Sequence, residues 1–182
     1  MDQTAYLKTV LQRCGMQNSK SAATPLPAGY TPTPSVEAVD PDRRSRFQTV
    51  IGSLLYLMLG TRPDIAFAVT KLAQYAANPS KEHLDKALYI CRYLVGTQNY
   101  RLSYDGASHL GISACTDSDW ASDVSRRSQS GYFVKMANGL ISWTSRAQKT
   151  IALSSTKAEY MALSDCSRQV VWMHTLLSGV YA

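Results

Sequence analysis

Thr116-Asp117-Ser118-Asp119-Trp120 and Ser154-Ser155-Thr156-Lys157-Ala158-Glu159-Tyr160 are the stretches on which the reading of this 182-residue chain turns. Asp117 follows the run at residues 110–115, and Glu159 stands near the head of a helical pattern. Carboxylates delivered by a strand and a helix suit divalent-cation chemistry on a phosphodiester, because the cation they hold offsets charge on the phosphate oxygens. Asp117 and Asp119 are two residues apart, which in an extended segment puts both on one face and lets them meet one cation together. Asp119 equally fits turn chemistry before Trp120, and taken alone the turn is the better account. Thr156 and Glu159 likewise have the Ser/Thr-x-x-Glu spacing of a capping box, which taken alone accounts for Glu159. The order of elements shifts that balance. A strand with a terminal Asp, two hairpin strands and a helix with an early Glu is how a two-metal nuclease assembles its first two ligands. Glu159 lies three residues before Ala162, on the stripe expected to face the sheet, and an inward carboxylate is costly unless something pairs with it.

Working outward, Ala162, Cys166, Val170, Met173 and Leu177 recur at helical spacing and predict a long helix over 156–177. Residues 101–104, 110–116, 130–136 and 140–145 are short, rich in aromatic or β-branched residues, and punctuated by Gly and Asn. They predict an antiparallel meander with Ala137-Asn138-Gly139 as a hairpin turn. Upstream the texture is helical. Tyr6, Leu7, Val10 and Leu11 mark a helix over 3–13 stopped by Gly15, and residues 21–42 hold Pro25, Pro27, Pro32, Pro34 and Pro41, which imply an extended connector. Three amphipathic helices follow: 44–59, a second from Pro63 to the Asn78-Pro79 break, and a third from the Ser80 cap to Gly96. The expected class is therefore α+β. Its parts are a short helix in 1–20, a Pro-rich connector in 21–43, a helical region in 44–99 and a sheet-plus-helix domain in 100–182.

Composition narrows the function classes. Hydrophobic residues make up 45% and charged ones 18%, a globular balance that excludes a disordered chain. Lys and Arg outnumber Asp and Glu by 19 to 13, giving +6, which suits a polyanionic partner without requiring one. Cys14, Cys91, Cys115 and Cys166 are scattered, with no Cys-x-x-Cys pair, so neither a zinc site nor a disulfide framework is expected. Cys91, Cys115 and Cys166 read as reduced core thiols. No apolar run is long enough to span a bilayer and no signal segment opens the chain, so the expectation is a soluble intracellular protein without a membrane partner. Arg126, Arg127, Arg146 and Lys149 flank the carboxylates and are candidate phosphate contacts, with a solvated charged face an equal alternative. Trp120, Tyr132 and Trp143 read as core packing before base stacking. His83, His109 and His174 match no metal spacing and read as surface or capping residues.

A family pattern runs through the same residues. Gly15-Met16 through Thr24-Pro25-Leu26, Ile51-Gly52-Ser53-Leu54-Leu55-Tyr56-Leu57, Thr61-Arg62-Pro63-Asp64-Ile65, and Arg92-Tyr93-Leu94 with Gly96-Thr97 occur in the first half. Thr116 through Trp120, Arg127-Ser128 with Ser130-Gly131-Tyr132, Ile141-Ser142-Trp143 and Leu153 through Leu163 occur in the second. In this order they make the chain resemble, over essentially its whole length, the C-terminal part of the polyprotein of Ty1/copia-type retrotransposons. The resemblance implies the helical end of a reverse transcriptase in the first half and the N-terminal half of a ribonuclease H domain in the second. It makes Asp117 and Glu159 the matches of the catalytic and metal-binding Asp and Glu. It also implies two Mg²⁺ (or Mn²⁺) ions and an RNA–DNA hybrid as substrate, with RNA selected through its 2′-hydroxyl and the hybrid's shape. Asp119 has no role in that pattern.

The pattern is also incomplete. The family's third catalytic Asp, on a strand after the long helix, and the His and Asp beyond it have no match here, nor does the polymerase Tyr-x-Asp-Asp signature. DNA synthesis by this chain alone is therefore not expected, and hybrid cleavage by it alone is expected to be absent or impaired. Lys157 stands where the family often has Glu, which lowers the expected cation affinity. A first strand lacking its fourth-strand neighbour implies self-association through an unpaired edge. Two rival readings stay open. One is a non-catalytic module binding nucleic acid or other polyprotein segments, and the other is a decayed remnant without function.

Overall fold

Asp40-Pro41 ends the proline-rich stretch and begins a helix in one step. The Asp40 side chain accepts hydrogen bonds from the backbone N–H groups of Asp42 and Arg43, both at 3.1 Å. Pro41 occupies the first helical turn, where a missing N–H costs nothing. The helix thus starts at residue 41, not 44, and the extended connector is shorter by that much. The computed structural model describes residues 1–106, 111–121 and 124–180. In chain order these form α1 (Thr4–Arg13), α2 (Pro41–Gly60), a 3-10 turn (Pro63–Ile65) running into α3 (Ala66–Ala73), α4 (Lys81–Gly96), β1 (Ser113–Asp119), β2 (Gln129–Met136), β3 (Gly139–Ala147) and α5 (Ser155–Val180). The architecture is mixed α/β, with five α-helices and one three-stranded antiparallel sheet among the described residues. The backbone divides into two compact units, Met1–Leu102 and Ser103–Ala182.

The first unit is a helical bundle. Leu7, Val10 and Leu11 of α1, Phe47, Val50, Ile51, Leu54 and Leu57 of α2, Val69 and Leu72 of α3, and Ile90, Cys91 and Leu94 of α4 are all buried. Each such aliphatic or aromatic side chain contributes about 1.5–3 kcal/mol on burial. Inside this apolar packing sits Arg62, only 1% exposed. Its Nε and Nη2 donate to Asp64 Oδ1 at 2.9 Å and Oδ2 at 2.7 Å. Its Nη1 and Nη2 reach the Thr97 carbonyl at 3.1 Å and the Thr97 hydroxyl at 2.6 Å. Tyr93 donates its hydroxyl to Asp64 at 2.9 Å, and the Tyr93 and Tyr100 rings lie 5.8 and 5.5 Å from the guanidinium. Burial, reinforced by Asp64, pushes the Tyr93 hydroxyl pKa up to about 12, so it stays a donor. The Thr-Arg-Pro-Asp run is thus a staple between the turn before α3 and the C-terminal end of α4.

At the other end of α4, Ser80 and His83 form a reciprocal cap: Ser80 Oγ accepts from the His83 N–H at 3.2 Å, and His83 Nδ1 accepts from the Ser80 N–H at 3.0 Å. His83 is a capping residue as the sequence allowed, but it is buried, stacked on Tyr75 at 4.3 Å between centroids. The helix expected to run from Pro63 to residue 78 instead begins as a 3-10 turn and ends at Ala73.

In the second unit β1 pairs with β2 and β2 with β3, so the meander is present, shifted from its expected limits. Residues 101–104 form no strand. Leu102 exchanges backbone hydrogen bonds with Met1, at 2.9 and 2.6 Å, and Tyr104 gives its hydroxyl to the Leu140 carbonyl at 2.7 Å. β1 begins at Ser113 and continues through Asp119, so Asp117 lies inside the strand, not at its end; Leu110 and His109 lie outside the described residues. Ala137 and Asn138 both have positive φ, 50° and 60°, forming a tight two-residue hairpin. Gly139 opens β3 because any side chain there would collide with the Tyr104 ring. Buried positions of this unit are mostly small or polar: Val134, Ala152, Ala158, Ala162, Cys166, Ser128, Gln129, Ser130 and Gln148, with Met173 added by α5. Cys115, expected in the core, is exposed on a strand paired on one side only among the described residues, and Trp120, just past the end of that strand, is exposed as well.

Two outcomes follow from the helical unit. Asp64→Asn removes the charge partner of a buried Arg62 and is expected to cost about 3–5 kcal/mol, read as a lower urea midpoint at unchanged m-value. Burial holds the His83 pKa below its usual 6.5, opposed by Glu82 and by its backbone bond with Thr33. The unfolded chain therefore takes a proton first as pH falls below about 6.5, so stability present above that pH is lost on acidification. His83→Gln should flatten that part of the stability profile in urea titrations between pH 7 and 5.

Candidate functional site

The N-terminus of α5 is set by Ser154, whose Oγ accepts from the Lys157 N–H at 3.2 Å while its carbonyl accepts from the Ala158 N–H at 3.1 Å. The capping box expected between Thr156 and Glu159 is therefore not formed, and Glu159 is left free of helix-end duty. Nor does Glu159 lie on the buried stripe. That stripe is Ala158, Ala162, Cys166 and Met173, and each step along a helix turns about 100°, which carries Glu159 off it and into solvent.

Directly opposed residues of an antiparallel ladder share a face. Ser118, Ser130 and Arg146 are so aligned, and this face meets α5. Arg146 Nη2 pairs with Asp165 at 2.6 Å, and Arg168 closes on the same carboxylate. Gln148 Nε2 donates to Ser130 Oγ at 2.8 Å and to the Ala158 carbonyl at 2.9 Å, tying the end of β3 to β2 and α5 through buried polar atoms. At the far edge Trp120 Nε1 donates to the Ala152 carbonyl at 3.1 Å. That bond fixes the C-terminal end of β1 beside the segment entering α5, the two places from which Asp117 and Glu159 come. Asp117 stands opposite Gly131 and Asp119 opposite Gln129, both exposed.

The packed pair β1 and α5 thus carries Asp117 and Glu159, and neither takes part in a hydrogen bond or ion pair among the described residues. No three His, Cys, Asp or Glu gather as a metal-holding group among the described residues. Asp117 alternates with Ser118 and so lies on the sheet face turned away from α5, and two carboxylates do not make a two-ion centre. Of the expected phosphate contacts, Arg126 and Arg127 are exposed in the loop before β2, Arg126 with φ 62°. Arg146 and Lys149 line a groove of about 650 Å³ between the end of β3 and α5. Lys157, Tyr160 and Arg168, which sequence reading did not assign to binding, complete that groove. Their signal was present as i, i+3 and i+11 positions on one helical face, but nothing in the sequence said that β3 would end beside them.

No protein-family model and no solved structure matches this chain. Curated sequences do. A retrovirus-related Pol polyprotein from the transposon TNT 1-94 of Nicotiana tabacum is 37% identical over 97% of the chain and 14% of its own length. An uncharacterized mitochondrial protein of Arabidopsis thaliana is 36% identical over 94% of the chain and 71% of its own length. The chain belongs to the retrotransposon Pol polyprotein family. It spans about one seventh of the length of the tobacco Pol relative. A protein named as a secreted RxLR effector of Plasmopara viticola is 44% identical over 70% of the chain and 90% of its own length, so Pol-like sequence also occurs under other names. Among the described residues, no helix of this Pol-family chain is long and apolar enough to cross a membrane.

Gln148 gives the site a measurable support. Gln148→Ala leaves Ser130 Oγ and the Ala158 carbonyl without this donor, with an expected loss of about 1–3 kcal/mol. Denaturant melting combined with proteolysis at the start of α5 would register it, with no change expected in the helical unit.

Proposed function

We propose that this Pol-family chain joins the C-terminal end of a reverse transcriptase to the N-terminal half of a ribonuclease H domain, whose ancestral reaction is Mg²⁺-dependent hydrolysis of RNA in RNA–DNA hybrids. The observation that carries this reading is the origin of the two carboxylates. Asp117 comes from a strand, Glu159 from the second turn of the helix packed on it, and the Trp120–Ala152 hydrogen bond joins the ends of those elements. The residues present do not complete a two-ion centre, so no hydrolytic step is assigned to them, and the chain alone is a poor nuclease on this reading. What its residues do is hold a polyanion. Arg146, Lys149, Lys157 and Arg168 meet one counter-charge, Asp165, and Tyr160 offers an aromatic face beside them. The free edge of β1 belongs to the same proposal, as the place where another polyprotein segment or a second copy adds a strand.

The test measures two quantities on one labelled RNA–DNA hybrid, with wild type, Asp117→Asn and Glu159→Gln side by side. RNA cleavage in Mg²⁺ or Mn²⁺ should be weak or absent in the wild type, and any that occurs should vanish in both variants. Binding should persist in all three and weaken with salt at a slope set by about two to three neutralised phosphates. Cleavage surviving both substitutions would remove the ribonuclease H assignment. Mg²⁺-independent binding without any cleavage would favour the binding-module reading, which rests on the basic groove.

A further inference from the structure

We propose that Asp165 is a built-in counter-anion of the basic groove, held where a phosphate would otherwise sit, so that the groove admits a chain of phosphates and turns away a single one. This rests on the groove being a polyanion site. Asp165 stands on α5 with its side chain 21% exposed, and its two carboxylate oxygens are taken separately. Arg146, reaching across from β3, gives Nη2 to Oδ2 at 2.6 Å, and Arg168, one turn further along α5, gives Nη2 to Oδ1. Two guanidiniums converging on two oxygens of one acid also suit two oxygens of one phosphate. Both arginines are largely open to solvent, at 53% and 72%, so a ligand reaches them without rearrangement of the fold. Lys149 and Lys157 line the same groove, are exposed, and have no ion-pair partner among the described residues. The groove thus combines one filled anion position with two uncommitted cations.

That asymmetry sets which ligands enter. Ion pairs this exposed are weak, so moving the Asp165 carboxylate off the arginines costs little. The carboxylate is nonetheless tethered to the helix that carries Arg168, and its effective concentration at the arginines exceeds that of a dissolved phosphate. A single phosphate competes with it and gains no other contact. A polyanion engages Lys149 and Lys157 first, which makes its next phosphate a tethered competitor too, and Asp165 then gives way. The charge balance changes with the acid: the four cations Arg146, Lys149, Lys157 and Arg168 against Asp165 leave +3, and without the acid they leave +4.

The experiment is fluorescence anisotropy of one labelled RNA–DNA hybrid titrated with the full chain, comparing wild type with Asp165→Asn and Asp165→Ser across a salt series. Both variants should bind about three- to tenfold tighter at low salt, the effect of releasing two exposed ion pairs. The slope of log affinity against log salt should steepen by about 0.9, the mark of one more neutralised phosphate. Inorganic phosphate, added at constant ionic strength, should displace the hybrid from the variants at concentrations that leave the wild-type complex intact. Asp85→Asn removes the same charge from an exposed position of α4 and should stay within about twofold of wild type. The gain should disappear when Arg146→Gln and Arg168→Gln are added. Hybrid bound by the wild type but equally or more weakly by both Asp165 variants would overturn the proposal and leave the groove as a polyanion site. A gain that survives the loss of both arginines would overturn it as well. Binding by neither the wild type nor the variants would remove the polyanion site itself, and this proposal with it.

Discussion

A buried guanidinium is the constraint around which the helical unit is arranged. Arg62 is 1% exposed, and a charge in that position persists only if its donors are met. They are met by Asp64 two residues on, by Thr97 at the end of α4, and by the rings of Tyr93 and Tyr100. Each partner comes from a different place in the chain, so the ion pair fixes the turn into α3 against the end of α4. α2 ends at Gly60, immediately before it, where a side chain would strike Gln3 at the start of α1. The apolar side chains supply most of the stabilisation of this unit, and the Arg62 network supplies its register.

The second unit is held differently. Its buried positions are mostly alanines, serines and glutamines, with Val134, Cys166 and Met173 among them, and directed hydrogen bonds from Gln148 and Trp120 tie its elements together. Directed bonds place a site accurately at a small cost in stabilisation. They also leave both acids, Asp117 and Glu159, on the surface, free of protein partners among the described residues. The cations of the groove, Lys157 and Arg168, stand on the opposite side of α5 from Glu159.

Sequence reasoning put Glu159 near the head of the last helix, where it stands, and explained its neighbourhood incorrectly. The Ser/Thr-x-x-Glu spacing of Thr156 and Glu159 matched a capping box, but Ser154 took the cap, because a cap depends on which residue leaves helical geometry first and the preceding loop decides that. The i, i+3 relation to Ala162 suggested an inward carboxylate, but the stripe runs through Ala158. Cys115 and Trp120 read as core from their apolar character, yet Cys115 is exposed on a strand with a neighbour on one side only among the described residues and Trp120 in the turn after it.

What the sequence determined by itself is periodicity and punctuation. The helices with 3.6-residue stripes, the Ser80 start, the Ala137-Asn138 hairpin and the final long helix are local consequences of side-chain spacing and backbone preference, and all are present. What only the tertiary structure decided is which distant groups meet. The pairing of Arg62 with Thr97 and the groove of β3 and α5 join residues far apart in the chain. Such contacts depend on packing angles and on the desolvation of particular groups, and neither quantity is encoded in a local window of residues.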